Sequence, residues 1–341
     1  MRLIGSEPDD TASSERGGDR IAPFSDPDEG LRAASPFRIL ALSAGGYQGL
    51  FTALILEEIE ARGRGPLRDR FDLISGTSIG GVIALAVAAG VPMSRVVRAF
   101  VEEGPSLFSN GSAPRGRVSA ARDALRFLSR PKYDPGPLRD LIGQFVDPGG
   151  RLRDLAVPVL IPATRVRDAE PVLFGPLTHP DLPVIDAALA TAAAPMMFPT
   201  HRIGSEAYAD GAVFAPAPDL VAVHEAGRRY GAGPGQVRVL SVGTLSGTFR
   251  LRAPESDRLG VLGWVSDQRL VRTVLAAQER LTVNACKDLL GPGYLRIDAG
   301  LAEAELGLTG LDVATERAQA VIRGAAGSRI GELPPRHPPF W

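Results

Sequence analysis

A serine stands between two glycines at Gly76, Ser78 and Gly80, where the apolar run FDLIS gives way to the helical pattern IGGVIALAVAAG. Two readings fit. Glycines let a strand turn tightly into a helix for packing reasons alone. In a strand-turn-helix context, G-x-S-x-G is also the nucleophile elbow, a strained turn that lifts a serine hydroxyl clear of the sheet. A hydroxyl attacks poorly until a base takes its proton and donors await the oxyanion, so the rest of the chain must supply both.

Donors are offered by SAGGYQG, Ser43 to Gly49, whose glycines let backbone N–H groups approach a ligand just before a helix begins. The spacing Gly45, Gly46, Gly49 fails the dinucleotide fingerprint G-x-G-x-x-G, and G-x-x-x-x-G-K-[ST] does not occur. A plain strand-to-helix turn stays open.

For the base, the chain offers His179, His201, His224 and His337, and none falls on a strand-end turn. All four read first as surface or partly buried histidines. Asp210 lies in YADGAV, just past a short apolar strand. A free carboxylate titrates near 3.9 and is a weak base, but burial and a hydrogen bond to Ser78 would strengthen it. By itself an Asp-Gly pair is an ordinary turn. His, Cys and carboxylates are nowhere clustered at ligand spacing, so no metal or other cofactor is expected.

These residues need a scaffold. FRILALS and FDLIS read as buried strands, LFTALILEEIEAR and IGGVIALAVAAG as helices, and two strand-turn-helix units in succession predict a parallel sheet covered on both faces. Further strands are expected at VPVLIPATRVR, AEPVLFG, EAYADGAV, VRVLSVGT and YLRIDAGL. Further helices are expected at PVIDAALATAAAPMMF, halted by Pro195 and Pro199, at DLVAVHEAGRRY, at 267–290 and at 312–326. Residues 1–35 are polar and predicted disordered, a segment at about 104–135 is expected to insert over the sheet edge as a lid, and 331–341 form a proline-rich tail, leaving one domain over 36–330.

The 341 residues carry 38 Lys and Arg against 39 Asp and Glu, a net charge of −1 that points to neither nucleic acid nor an anionic surface. The single cysteine, Cys286, excludes an internal disulfide and fits a reducing compartment. Neither a signal peptide nor an apolar run of membrane-spanning length is present, so a cytoplasmic protein touching membranes from the side is expected.

The motifs together resemble the patatin-like phospholipases. RILALSAGGYQGLFTALILEEIE, FDLISGTSIGGVIALAVAAG, ALATAAAPMMFP, AYADGAV and VLSVGT occur in that family's order, from about Arg38 to Thr244. The resemblance implies an α/β, three-layer sandwich around a mostly parallel central sheet, hydrolysing acyl esters of membrane phospholipids. It implies Ser78 as nucleophile on the Gly76/Gly80 elbow, Asp210 as base without a histidine, and Gly45 and Gly46 as oxyanion donors. Ala44 and Gln48 stand where the family's turn has glycine and arginine, and FAPAP, Phe214 to Pro218, replaces its asparagines.

A looser likeness, in KYDPGPLRDLI, VPVLIPAT and YLRID, is to bacterial antiphage (CBASS) phospholipase effectors switched on by cyclic oligonucleotides. It implies a cyclic dinucleotide activator bound away from the dyad, where arginines and aromatics close a homodimer or a lid. Arg117, Arg122, Arg126 and Tyr133 are candidate contacts, and an arginine-lined solvated face explains them equally. Two alternatives stand beside this reading: a Ser-His-Asp esterase using His224, and a catalytically impaired sensor or scaffold of the same fold.

Overall fold

A computed structural model of the chain describes residues 35–108, 130–245, 260, 263–264, 269–302, 304–305, 307–334 and 340. The expected disordered N-terminus, the core of the expected lid with Arg117, Arg122 and Arg126, and His337 lie outside the described residues.

The sheet contains β1 (Phe37–Leu42), β2 (Leu73–Gly76), β3 (Val159–Arg165), β4 (Glu170–Phe174), β5 (His201–Ile203), β6 (Glu206–Asp210), β7 (Val237–Val242) and β8 (Tyr294–Ile297). Its order is β5-β6-β3-β2-β1-β7-β8, with β4 on β3. From β3 to β8 the neighbours are parallel, and β4, β5 and β6 add antiparallel pairs. β3 serves two partners in succession: Val159 and Leu160 pair with β2, while Ala163 to Arg165 pair with Asp210 to Tyr208 of β6.

Strand parity explains the layers. Leu40 and Leu42 of β1 face a core shared with α1 (Gly49–Arg62), α2 (Ile79–Ala89), α3 (Met93–Glu102) and α6 (Val184–Thr191). Ile39 and Ala41 face the opposite core, closed by Ala222, Val223 and Ala226 of α7 (Asp219–Tyr230) and by Cys286 and Leu290 of α8 (Arg269–Leu290). A strand buried on both sides cannot alternate polar and apolar residues, so FRILAL reads as an unbroken apolar run. Between these helices come α4 (Gly104–Phe108) and α5 (Gly136–Phe145), and α9 (Glu316–Glu332) packs along α1. Burial pushes the Cys286 thiol up to about 12, with Asp219 adding to the shift, so it behaves as a small core hydrophobe.

Several boundaries differ from the sequence reading. α6 ends at Thr191, short of Pro195, because the chain turns through Ala192–Phe198 and the carbonyl of Ala193 accepts the N–H of Asp210 at 2.9 Å. α9 starts at Glu316 instead of 312, since Thr315 caps it by accepting the Ala318 N–H at 3.1 Å. It runs to Glu332, where Arg62 collects the carbonyls of Ile330, Leu333 and Pro334. The short β5 and helices α3 and α5 were not read as elements.

Candidate active site

The elbow is built at the end of β2. Ser78 takes φ 55° and ψ −126°, a conformation that costs a non-glycine residue about 1–3 kcal/mol. Its neighbours hold it there: the Thr77 N–H donates to Leu42 O at 3.1 Å, the Thr77 hydroxyl to Ala215 O at 2.7 Å, and the Ser78 N–H to the Thr191 hydroxyl at 3.0 Å. Both glycines are sterically required. A Cβ on Gly76 would lie 2.2 Å from Gly80 O, and one on Gly80 would lie 2.4 Å from Leu42 O.

The glycine turn after β1 packs against the elbow. A Cβ on Gly45 would lie 2.2 Å from the Thr244 hydroxyl; Gly46, at φ 55°, is backed by Leu311 O at 2.0 Å from such a Cβ. The Ala44 N–H is used by Pro216 O at 2.8 Å and the Tyr47 N–H by Leu311 O at 2.8 Å. Among the described residues, no acceptor meets the N–H of Gly45 or Gly46. Ala44 does not have the positive φ that would demand glycine, which is why an alanine fits here. The FAPAP segment acts through its main chain: the carbonyls of Ala215 and Pro216 pin Thr77 and Ala44, a task that needs no asparagine side chain.

Asp210 ends β6 and is 2% exposed. Burial raises its pKa to about 7, against the lowering effects of hydrogen bonding with the Ser78 hydroxyl and of the Ala212 N–H, which donates to Oδ1 at 2.7 Å. Ser78, Asp210, Gly45 and Gly46 therefore line one cavity of about 420 Å³. Its walls are mostly apolar, with Phe108, Met197 and Phe198 among them, together with Val271, Val274 and Leu275 of α8. A buried carboxylate with its pKa raised to about 7 beside a strained serine, in one apolar cavity with two N–H groups that meet no acceptor among the described residues, is an arrangement suited to acyl transfer.

Among the described residues, no histidine lines this cavity. The His224 side chain is 70% exposed, with Nδ1 3.6 Å from Glu225. His201 pairs with Asp186 at 3.0 Å, and the His179 ring meets Phe174 edge-to-face. Tyr133 donates to Asp312 at 2.8 Å, meets Phe108 edge-to-face and packs its ring at a tilt against Phe198, so it braces two residues of the cavity wall. Among the described residues, no His, Cys, Asp or Glu cluster could hold a metal, and no helix is long and apolar enough to cross a membrane. Sequence reasoning missed Thr191 and Thr244, whose contacts join segments far apart in the chain and leave no local signal.

Comparison with known proteins places the chain in a family. The model of the patatin-like phospholipase family matches residues 40–223. A cGAMP-activated phospholipase from Pseudomonas aeruginosa is 35% identical over 77% of this chain and 78% of its own length. One from Vibrio cholerae is 36% identical over 72% and 75%. The solved structure of VipD from Legionella pneumophila is far more distant, at 12% identity and a TM-score of 0.43 over 87% of this chain and 67% of that one. On the family match and these identities, the chain belongs to the patatin-like phospholipases.

Proposed function

We propose that this protein is a phospholipase that cleaves acyl esters of membrane phospholipids through a Ser78–Asp210 dyad. The observation that carries the reading is Asp210, buried beside Ser78 in an apolar cavity with its pKa lifted to about 7. Ser78 Oγ attacks the ester carbonyl as its proton passes to Asp210, and the oxyanion rests on the N–H groups of Gly45 and Gly46. Collapse of this intermediate expels the glycerol-side alcohol, which takes the proton from Asp210 and leaves acyl-Ser78. Water then attacks the acyl group as its proton passes to Asp210, and collapse releases the fatty acid while Asp210 returns the proton to Ser78 Oγ. The apolar walls suit an acyl chain drawn from the cytoplasmic face of a bilayer.

Ser78→Ala and Asp210→Asn should each abolish hydrolysis of a short acyl ester while leaving the fold intact, and a fluorophosphonate should label Ser78. Full activity in either variant removes that residue from the mechanism. Absence of labelling under every condition favours the impaired sensor.

We further propose a cyclic dinucleotide as activator, in antiphage defence. The support is the likeness to relatives named cGAMP-activated phospholipases across about three quarters of each chain. Fluorophosphonate labelling with and without cGAMP tests it: labelling that rises with the nucleotide supports activation, and equal labelling refutes it.

A further inference from the structure

Next to the glycine turn lies a buried guanidinium that neither the elbow nor the base uses. Arg296 of β8 has a side chain 9% exposed. One of its nitrogens donates to the hydroxyls of Ser43 at 2.9 Å and Ser241 at 2.8 Å. The other donates to Glu279 of α8 and to Asp298 at 2.8 Å. Burial alone would lower its pKa, but Asp298 and Glu279 raise it on balance, so the group stays charged.

Three of the four acceptors lead to the cavity. Ser43 immediately precedes Ala44, Gly45 and Gly46. Glu279 lines the cavity from α8. Asp298 passes the contact on by accepting the N–H of Leu245 at 3.0 Å, and Leu245, at φ 64°, lines the cavity beside Thr244. The Thr244 hydroxyl in turn donates to Ala44 O at 2.6 Å. Arg296 itself does not line the cavity.

We infer that Arg296 is a positioning residue, which fixes the Gly45–Gly46 turn through Ser43 and ties it to α8 through Glu279. The inference rests on the proposed hydrolase reading, because the turn matters to turnover only if it receives the oxyanion. The planar guanidinium can bridge acceptors on β7, on α8 and on the residues that follow β1 and β8 at once, whereas a lysine ammonium is a compact point donor on a flexible stem. Gln48, in the position where the family's turn carries arginine, supplies no such charge. The fixed cation beside this turn comes from a strand at the far end of the chain.

The test compares Ser43→Ala and Arg296→Lys with the wild type on a short acyl ester, each rate normalised to the fraction of protein that a fluorophosphonate titrates. Ser43→Ala removes a single hydroxyl and keeps the buried charges paired, so it remains informative if Arg296→Lys fails to fold. Because a small displacement of positioned groups can cost up to about 10²-fold, Ser43→Ala should lower kcat per titrated site about tenfold with KM within twofold. Arg296→Lys should lower it further. Hydrogen exchange should quicken in peptides spanning 43–48 and stay unchanged in α2. A merely structural role would lower melting temperature and the titrated fraction but leave kcat per site at the wild-type value. A working wild type whose variants keep that kcat and exchange pattern overturns this inference alone, whereas a wild type inert both without and with cGAMP overturns the hydrolase reading with it.

Discussion

Asp210 sits opposite Ala163 in an antiparallel pair, and this register is what brings its carboxyl to Ser78. β2 pairs with β3 only at Val159 and Leu160, then stops and turns into the elbow. β3 continues, and β6 arrives on its last residues from the opposite direction. The end of an antiparallel strand therefore lies beside the end of a parallel one, so Asp210 and Ser78, the proposed base and nucleophile, share one rim of the sheet although they come from distant segments.

A base with a pKa near 7 must lose its proton before it can accept one from Ser78. The value of kcat/KM for a soluble ester should rise with pH through about 7 and level off above it. A pH profile flat from 5 to 9 would remove Asp210 as the titrating base.

The same shift carries a stability cost. The folded pKa lies above the unfolded value of 3.8, so the folded state binds more protons across that interval, and stability falls as pH rises from about 4 to about 7. Asp210→Asn, which keeps an acceptor for the Ala212 N–H, should stabilise the protein by on the order of 2–4 kcal/mol at pH 8. The gain should shrink at pH 5. Thermal melts at both pH values check the sign.

Thr191→Val keeps shape but removes the acceptor of the Ser78 N–H. An unsatisfied buried donor costs about 1–3 kcal/mol, and here the loss falls on a strained residue. Reduced melting temperature together with about a tenfold lower kcat is expected; an unchanged kcat would show that the elbow holds its geometry without Thr191.

Gly46→Ala meets a backbone carbonyl at a positive φ, whereas Gly45→Ala meets a threonine side chain. Both should cost about 10²-fold or more in kcat by displacing an oxyanion donor. Gly46→Ala should lose more stability, because a backbone carbonyl cannot rotate away. Paired kinetics and melting curves separate the two.

His224 is exposed and does not line the cavity. His224→Ala should keep turnover within about twofold of wild type, as surface substitutions usually do. A large loss would bring an imidazole back into the mechanism.

The sequence alone determined the local pieces. Apolar runs meeting glycine turns marked the strand ends, because a strand covered on both faces must be apolar throughout and a tight exit needs residues without a Cβ. G-T-S-I-G and D-G could be singled out for the same reason: each is a local conformation with a local composition. The sequence was silent on what holds these turns in place. Thr191, Thr244 and Arg296 act across the fold, and their residue types look ordinary where they stand in the chain. Nor could composition distinguish an ordinary aspartate near pKa 4 from a base near 7. That difference comes from burial beside Ser78, which exists only once β6 has paired with the end of β3.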